Sequence, residues 1–212
     1  MRTKFTRRGL IGVGIAAGAS TAAAAPPTAR QTEGPFYPTT DQADKDADLT
    51  RVAGRSGRAT GEIIVVEGRV LDETGAPIAG AIVDVWQANA HGRYAHERDS
   101  NPAPLDPAFQ GWAILTADAE GRYRFRTVLP GAYPAETGWD RPPHIHFKVA
   151  RRGFREITTQ MYFEGQALND IDRLLAAVPE PRRSALIARA SVLDGDADGA
   201  ALYRFDVTLA KV

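Results

Sequence analysis

Cysteine is absent from the 212-residue chain. That excludes disulfide staples and thiolate metal sites, so stability must come from a buried core, aided by any bound metal. Net charge is also missing: 26 Lys and Arg stand against 26 Asp and Glu, and nothing in their distribution points to a nucleic-acid partner. No stretch beyond residue 25 approaches the roughly 20 apolar residues of a membrane span, so no stable membrane insertion is expected. What remains is a globular composition, 43% hydrophobic and 25% charged with 20 Gly and 14 Pro, enough for one domain with a sizeable core.

Residues 1–25 stand apart. Arg2, Lys4, Arg7 and Arg8 form a basic start, Gly9 to Ala19 an apolar run rich in Gly and Ala, and Ala22 to Ala25 a small-residue end, the layout of an export signal. Thr6-Arg7-Arg8-Gly9-Leu10-Ile11 resembles the twin-arginine signal, whose pathway carries proteins already folded, so that a cofactor can be loaded before export. In an ordinary secretory signal the same pair would supply charge alone. The expectation is an exported protein, periplasmic or extracellular. Removing the segment leaves 22 positive against 26 negative groups, a net charge of −4.

From residue 26 to about 61 the chain is polar and broken, without a sustained apolar period; it reads as an ordered N-terminal arm over a domain of residues 62–212. There the texture changes. Ile63 to Leu71 is a β-branched run, Glu73-Thr-Gly75 a turn, and Ala81 to Trp86 alternates as a strand, so the two runs are expected to pair as a hairpin. Further strands are expected over Trp112–Thr116, Tyr123–Val128, His144–Val149, Ile157–Phe163 and Tyr203–Leu209, divided by turns bearing Gly and Pro. That spacing predicts a mainly β fold, a β-sandwich. Ile171, Leu174, Leu175 and Val178 break the pattern with helical spacing, and Glu180 to Ala190 repeats it, which predicts two short flanking helices.

Half of the chain's four histidines lie in Arg141-Pro-Pro-His144-Ile-His146. On a strand, residues two apart share a face, so His144 and His146 can aim at one point while Ile145 faces the core. Such a pair reads either as metal ligands or as imidazoles hydrogen-bonded within the sheet. Tyr133, in Pro130-Gly-Ala-Tyr-Pro134, is held extended by the following proline; Tyr94 follows the strand-to-turn stretch Trp86 to Gly92. Either tyrosine alone reads equally well as a packing residue.

Taken with Thr32-Glu-Gly-Pro-Phe-Tyr37, Gly80-Ala-Ile-Val-Asp-Val-Trp-Gln87, Gln160-Met-Tyr-Phe-Glu-Gly165 and Tyr203-Arg-Phe-Asp206, these residues resemble the intradiol ring-cleavage dioxygenases across nearly the whole chain after the signal. The resemblance implies a prealbumin-like sandwich and a non-haem ferric ion, Fe(3+), held by two tyrosinates and two histidines. Tyr94 matches the tyrosinate that stays bound, Tyr133 the one released when substrate binds, and His144 and His146 the imidazoles. Such a donor set suits a hard trivalent cation, and coordination would deprotonate the phenols. The implied reaction opens a catecholic ring such as protocatechuate between its two hydroxyls, inserting both atoms of O2 to give a cis,cis-muconate-type product.

By the same resemblance Arg141 stabilises charge on the oxidised ring, the alternative being a surface arginine paired with Asp140. Gln160 is a supporting residue near the iron, Tyr37 borders the pocket from the arm, and His96 is a further pocket candidate. The family commonly carries Trp where Ala135 stands, and Trp139 is the residue placed to compensate. No long helical segment is expected before Glu33, unlike the catechol-specific branch, which favours a protocatechuate-type or otherwise unassigned substrate; the chain resembles the iron-bearing type of protocatechuate-cleaving chain, which can assemble with copies of itself. Two other classes stay open: a prealbumin-like module that only binds ligand or carbohydrate, and a ferrous site of His144, His146 and a carboxylate such as Glu164.

Overall fold

The computed structural model describes residues 25–42 and 44–212. The export signal inferred over residues 1–25 lies, apart from Ala25, outside them. The described residues carry the strands β1 (Ile63–Asp72), β2 (Ile82–Trp86), β3 (Trp112–Thr116), β4 (Arg122–Val128), β5 (Tyr133–Glu136), β6 (Trp139–Arg141), β7 (His144–Ala150) and β8 (Ile157–Phe163), then the helix α1 (Arg173–Ala176), then β9 (Ile187–Ala188), β10 (Ala190–Val192), β11 (Ala201–Arg204) and β12 (Val207–Leu209).

One sheet gathers β10, β11, β12 and β4 around β1; the other runs in the order β3, β2, β7, β8, β9. Between them lies the core. Ile64, Val66 and Val70 of β1 face Val83 and Val85 of β2 and Ile145, Phe147 and Val149 of β7, all with no exposed surface. Rings bridge the layers: Phe147 packs on Tyr123 and Phe125 of the first sheet and lies 5.0 Å from Phe205. This is the mainly β sandwich that the alternation predicts.

Gly68 marks where β1 is crowded. A Cβ there would sit 1.8 Å from the carbonyl oxygen of Phe205, where the chain passes from β11 to β12 and Asp206 Oδ1 accepts a 2.7 Å hydrogen bond from Arg69 N. The strand tolerates glycine at this point because another backbone approaches it closely.

Two expectations are corrected. The strands β1 and β2 do not pair as a hairpin: β1 pairs with β4, β11 and β12, whereas β2 pairs with β3 and β7. The turn after β1 is real, with Leu71 bridging Pro77 and Ile78 N donating to Val70 O at 2.9 Å. Pro77 has no N–H to extend that ladder, and Gly80, at φ +67°, redirects the chain to the opposite sheet. The second flanking helix shrinks to a 3₁₀ turn over Ser184–Leu186. The residues after it are taken by strand pairing, with Ile187 and Ala188 parallel to Tyr162 and Phe163, since an open sheet edge claims backbone that a four-residue apolar pattern cannot hold as helix.

The arm, residues 26–61, is tied down along its length. Thr28 N donates to Thr208 O, Gln31 N to Thr158 O, and Leu49 N to Arg126 O, while Leu49 is completely buried. Its first part crosses the outer face of the second sheet, opposite the core.

Candidate metal centre

Alternation along β7 puts Ile145 and Phe147 into the core, so His144 and His146 emerge on the outer face. Register continues that row: His146 stands opposite Trp86 on one side and Gln160 on the other, and His144 opposite Tyr162. The arm and the β5–β6 hairpin cover this face. His144 and His146 accordingly are 2% and 3% exposed.

The Nε2 atoms of the two imidazoles lie 3.2 Å apart. His144 Nδ1 is 2.7 Å from Pro142 O; a carbonyl only accepts, so Nδ1 carries the hydrogen and Nε2 is a bare lone pair. His146 stacks on Trp86, with centroids 4.8 Å apart and planes 11° from parallel, and its Nδ1 is buried without a partner. Burial, with the Arg141 charge adding to it, holds both imidazoles well below their ordinary pKa, His146 down to about 3. Both are therefore neutral at any ordinary pH, the form in which an imidazole can bind a metal.

Two phenols close the cluster. Tyr94 and Tyr133 meet edge to face with centroids 5.5 Å apart, Tyr94 is 6.2 Å from His146, and Tyr133 is 5.6 Å from His144. Tyr94 is 3% exposed and its Oη has no hydrogen-bond partner. Burial raises the pKa of both phenols, so with protein groups alone they stay neutral. An orphaned phenol oxygen and an orphaned His146 Nδ1 beside two converging imidazole Nε2 atoms make a costly arrangement unless a cation occupies the space they enclose. Two ring nitrogens 3.2 Å apart are close enough to serve one ion. The donor set thus fits a hard, highly charged metal.

The loops that present the phenols are locked together by glycine. Gly92 adopts φ +78°, and a Cβ there would lie 2.1 Å from Ala132 O; a Cβ on Gly131 would lie 2.4 Å from Gly92 N. Asn89 organises the contact: its Oδ1 accepts from His91 N and Arg93 N, and its carbonyl from Gly92 N and Gly131 N. Tyr94 N donates to Asp99 Oδ2 at 2.7 Å. Backbone too close for any Cβ fixes the separation of the two tyrosines.

Arg141 is 3% exposed and pairs not with Asp140, which is exposed, but with the fully buried Asp172 through Nε at 2.8 Å. Its Nη2 donates to Gln160 Oε1 at 2.8 Å and to Tyr162 Oη at 2.9 Å, and its Nη1 lies 3.4 Å from His144 Nε2. Gln160 Nε2 reaches back to Thr32 O of the arm. Trp139 is flanked by the guanidinium groups of Arg173 at 4.8 Å and Arg141 at 5.8 Å. A cleft of about 310 Å³ opens onto the cluster, lined by Phe36, Tyr133, Ala135, Trp139, Arg141 and His146 among others.

Two pocket expectations are corrected. Tyr37 does not line this cleft: its Oη donates to Asp84 Oδ2 at 2.8 Å and its ring packs edge-on against Trp86 at 4.9 Å, so it supports the tryptophan that stacks on His146. Phe36 faces the cleft instead, carried there by the turn over Pro35 and Phe36 that leads into the bend at Tyr37. His96 lies behind Phe36, centroids 5.8 Å apart, and does not line the cleft. Glu164 pairs with Arg189 at 2.7 Å on the surface, and among the described residues no three His, Asp or Glu side chains converge to hold a metal; the two-histidine, one-carboxylate alternative has no carboxylate. Asp172 and Trp86 were not singled out from sequence as site residues. The Asp172–Ala176 stretch, an N-cap before helical spacing, was the available signal for the first.

Comparison with known proteins agrees with this geometry. Residues 32–211 match the family model described as Dioxygenase. The chain is 48% identical over 180 residues to the protocatechuate 3,4-dioxygenase beta chain of Burkholderia cepacia, covering 82% of this chain and 76% of that one. It is 37% identical over 131 residues to the chlorocatechol 1,2-dioxygenase of Pseudomonas sp. strain P51, covering 55% of this chain and only 50% of that one. The fold matches the crystal structure of 3-chlorocatechol 1,2-dioxygenase from Rhodococcus opacus with TM-score 0.70 at 24% identity, over 88% of this chain and 74% of the other. The chain belongs to the intradiol ring-cleavage dioxygenase family.

Proposed function

We propose that Tyr94, Tyr133, His144 and His146 hold a non-haem ferric ion and that the cleft beside them binds a catecholic aromatic for intradiol cleavage by O2. One observation carries the reading: the two His Nε2 atoms lie 3.2 Å apart beside a buried Tyr94 Oη that lacks any protein partner. Ferric iron bound there would activate a chelated diol so that dioxygen attacks a ring carbon and the ring opens between the hydroxyls.

The protein's own part follows from the contacts. Tyr133, the donor that also lines the cleft, would be a phenolate on the bound ion and could take at its Oη one of the two protons a chelating diol releases, freeing its place for a diol oxygen. Arg141 brings a charge that does not titrate to within 3.4 Å of His144 Nε2, where it stabilises negative charge developing on the ring. Gln160 and Asp172 fix the far edge of the guanidinium, leaving Nη1 turned toward the site. Trp86 fixes the plane of His146 by stacking.

The test is a visible spectrum of the iron-loaded protein with and without protocatechuate or catechol under exclusion of oxygen. A red-brown band that shifts on adding diol is expected; a colourless iron-loaded protein would overturn the ligand assignment. Export through the twin-arginine pathway is proposed on Arg7 and Arg8. Replacing both with lysine should retain the protein in the cytoplasm, and unchanged fractionation would refute it.

A further inference from the structure

The cleft does not end at the space beside the four donors. Its inner part, about 310 Å³, has an apolar wall of Phe36, Pro134, Ala135, Trp139 and Leu174, and sits at the low end of the ~300–1,000 Å³ typical of ligand sites. A second hollow of about 560 Å³ adjoins it, and the two share Pro35, Phe36, Pro134, Ala135 and Glu136. The rim between them is low. Its β5 portion, residues 134–136, is exposed, and the side chain at its middle is the single methyl of Ala135.

Polarity changes across that rim. Beyond it the surface is built of Ser100, Asn101 and Thr137 with Arg98 set against Asp99, Glu136 and Asp140. Inside, the cation lining the cleft is Arg141, already matched by Asp172, and Glu136 at the rim is matched by Arg173 at 3.2 Å. A carboxylate on the substrate ring would find Arg141 already held by Asp172 within the cleft and, with Glu136 taken by Arg173, Asp99 and Asp140 against Arg98 outside it. A neutral group with hydroxyl or ether oxygens would find hydrogen-bonding partners and no charge opposing it.

We infer that the preferred substrate is a catecholic ring carrying an extended, uncharged substituent, such as a second ring or a hydroxylated chain. Its diol end faces the four donors, and its substituent passes over Ala135 into the outer hollow. The inference rests on the diol-cleavage reading above and adds the identity of the substituent.

The experiment compares kcat/KM of the full-length iron-loaded enzyme for catechol, protocatechuate and 4-phenylcatechol, in the wild type and in Ala135→Trp, which raises the rim. For the wild type, 4-phenylcatechol should exceed protocatechuate by about tenfold or more. In Ala135→Trp the ratio of 4-phenylcatechol to catechol should fall by about tenfold. Should that variant not fold, Thr137→Trp, confined to the outer hollow, is expected to lower the same ratio. A wild type that prefers protocatechuate, or a ratio unmoved by a folded rim variant, overturns the subsite. If no diol is cleaved and none shifts the visible spectrum, the diol-cleavage reading itself has failed, and the subsite with it.

Discussion

Arg141 stays charged in a place with 3% exposure because acceptors meet most of its edge: Asp172, Gln160 and Tyr162 take Nε and Nη2, and His144 faces Nη1. Asp172 does a second task, since its Oδ1 accepts from Leu175 N at 2.7 Å and caps α1. Asp172→Asn separates the two. The amide still caps the helix, but Arg141 is left buried without its counter-charge, and a loss of about 3–5 kcal/mol is expected in denaturant unfolding. A loss no larger than that of an exposed pair would show that the charge is compensated elsewhere. The phenol oxygen of Tyr94 makes the opposite case, because it has no well-formed hydrogen bond within the protein and the Tyr133 phenol as its polar neighbour. Tyr94→Phe should therefore cost little stability yet lose iron colour and turnover together. Arg141→Ala should keep its iron, measured by metal content, while turning over about 10²–10³ times more slowly. A red, fully active Tyr94→Phe protein would refute the ligand set.

Among the elements, the contact between the loops of Gly92 and Gly131 decides whether two tyrosines far apart in sequence meet. Gly92→Ala places a methyl 2.1 Å from Ala132 O in a backbone at φ +78°, so both the clash and the left-handed conformation oppose it. A loss of about 1–3 kcal/mol is expected, and the loops must part to relieve it, so iron stoichiometry should fall as well; a stable variant with full iron would show that the loops are not coupled. Period-two alternation made the long strands legible: β1, β3, β4, β7 and β8 lie within a residue of where Ile63, Trp112, Tyr123, His144 and Ile157 open their runs. Pairing was not legible. The turn at Glu73 to Gly75 looked like a hairpin turn because it is one for two residues, and only the redirection at Gly80 sends β2 into the opposite sheet. The segment around Ile187 carried helical spacing but lay beside the open edge of β8, which claimed it.

At the scale of the molecule, the four proposed donors were legible only through the family resemblance: alternation put His144 and His146 on one face and turns put the tyrosines in loops, but neither pair was decisive by itself. What surrounds them was less so, because the arm, β2, the β5–β6 hairpin and α1 meet over one face only after folding. Tyr37 was placed at the pocket by its match to a family residue on the arm, while its partner Asp84 is 47 residues away. That enclosure has a consequence for the whole fold. It buries His144 and His146 to 2% and 3% exposure and keeps them neutral, His146 down to about 3, whereas in the unfolded chain each titrates near 6.5. Below about 6.5 the unfolded chain therefore binds more protons than the folded one, and the slope of stability with pH is positive there. In metal-free protein the stability tied to these imidazoles is intact above that pH. It declines on acidification by up to ~1.4 kcal/mol per pH unit for each, until the folded pKa is reached. Bound metal needs the same neutral rings, so acid expels it with the same sign. Thermal melts of metal-free protein from about pH 7.5 to about pH 4.5 should show Tm falling steadily, and the double variant His144→Gln, His146→Gln should show a shallower fall. Equal slopes would place the acid sensitivity in the carboxylates instead, because the variant keeps every one of those and removes only the two buried bases.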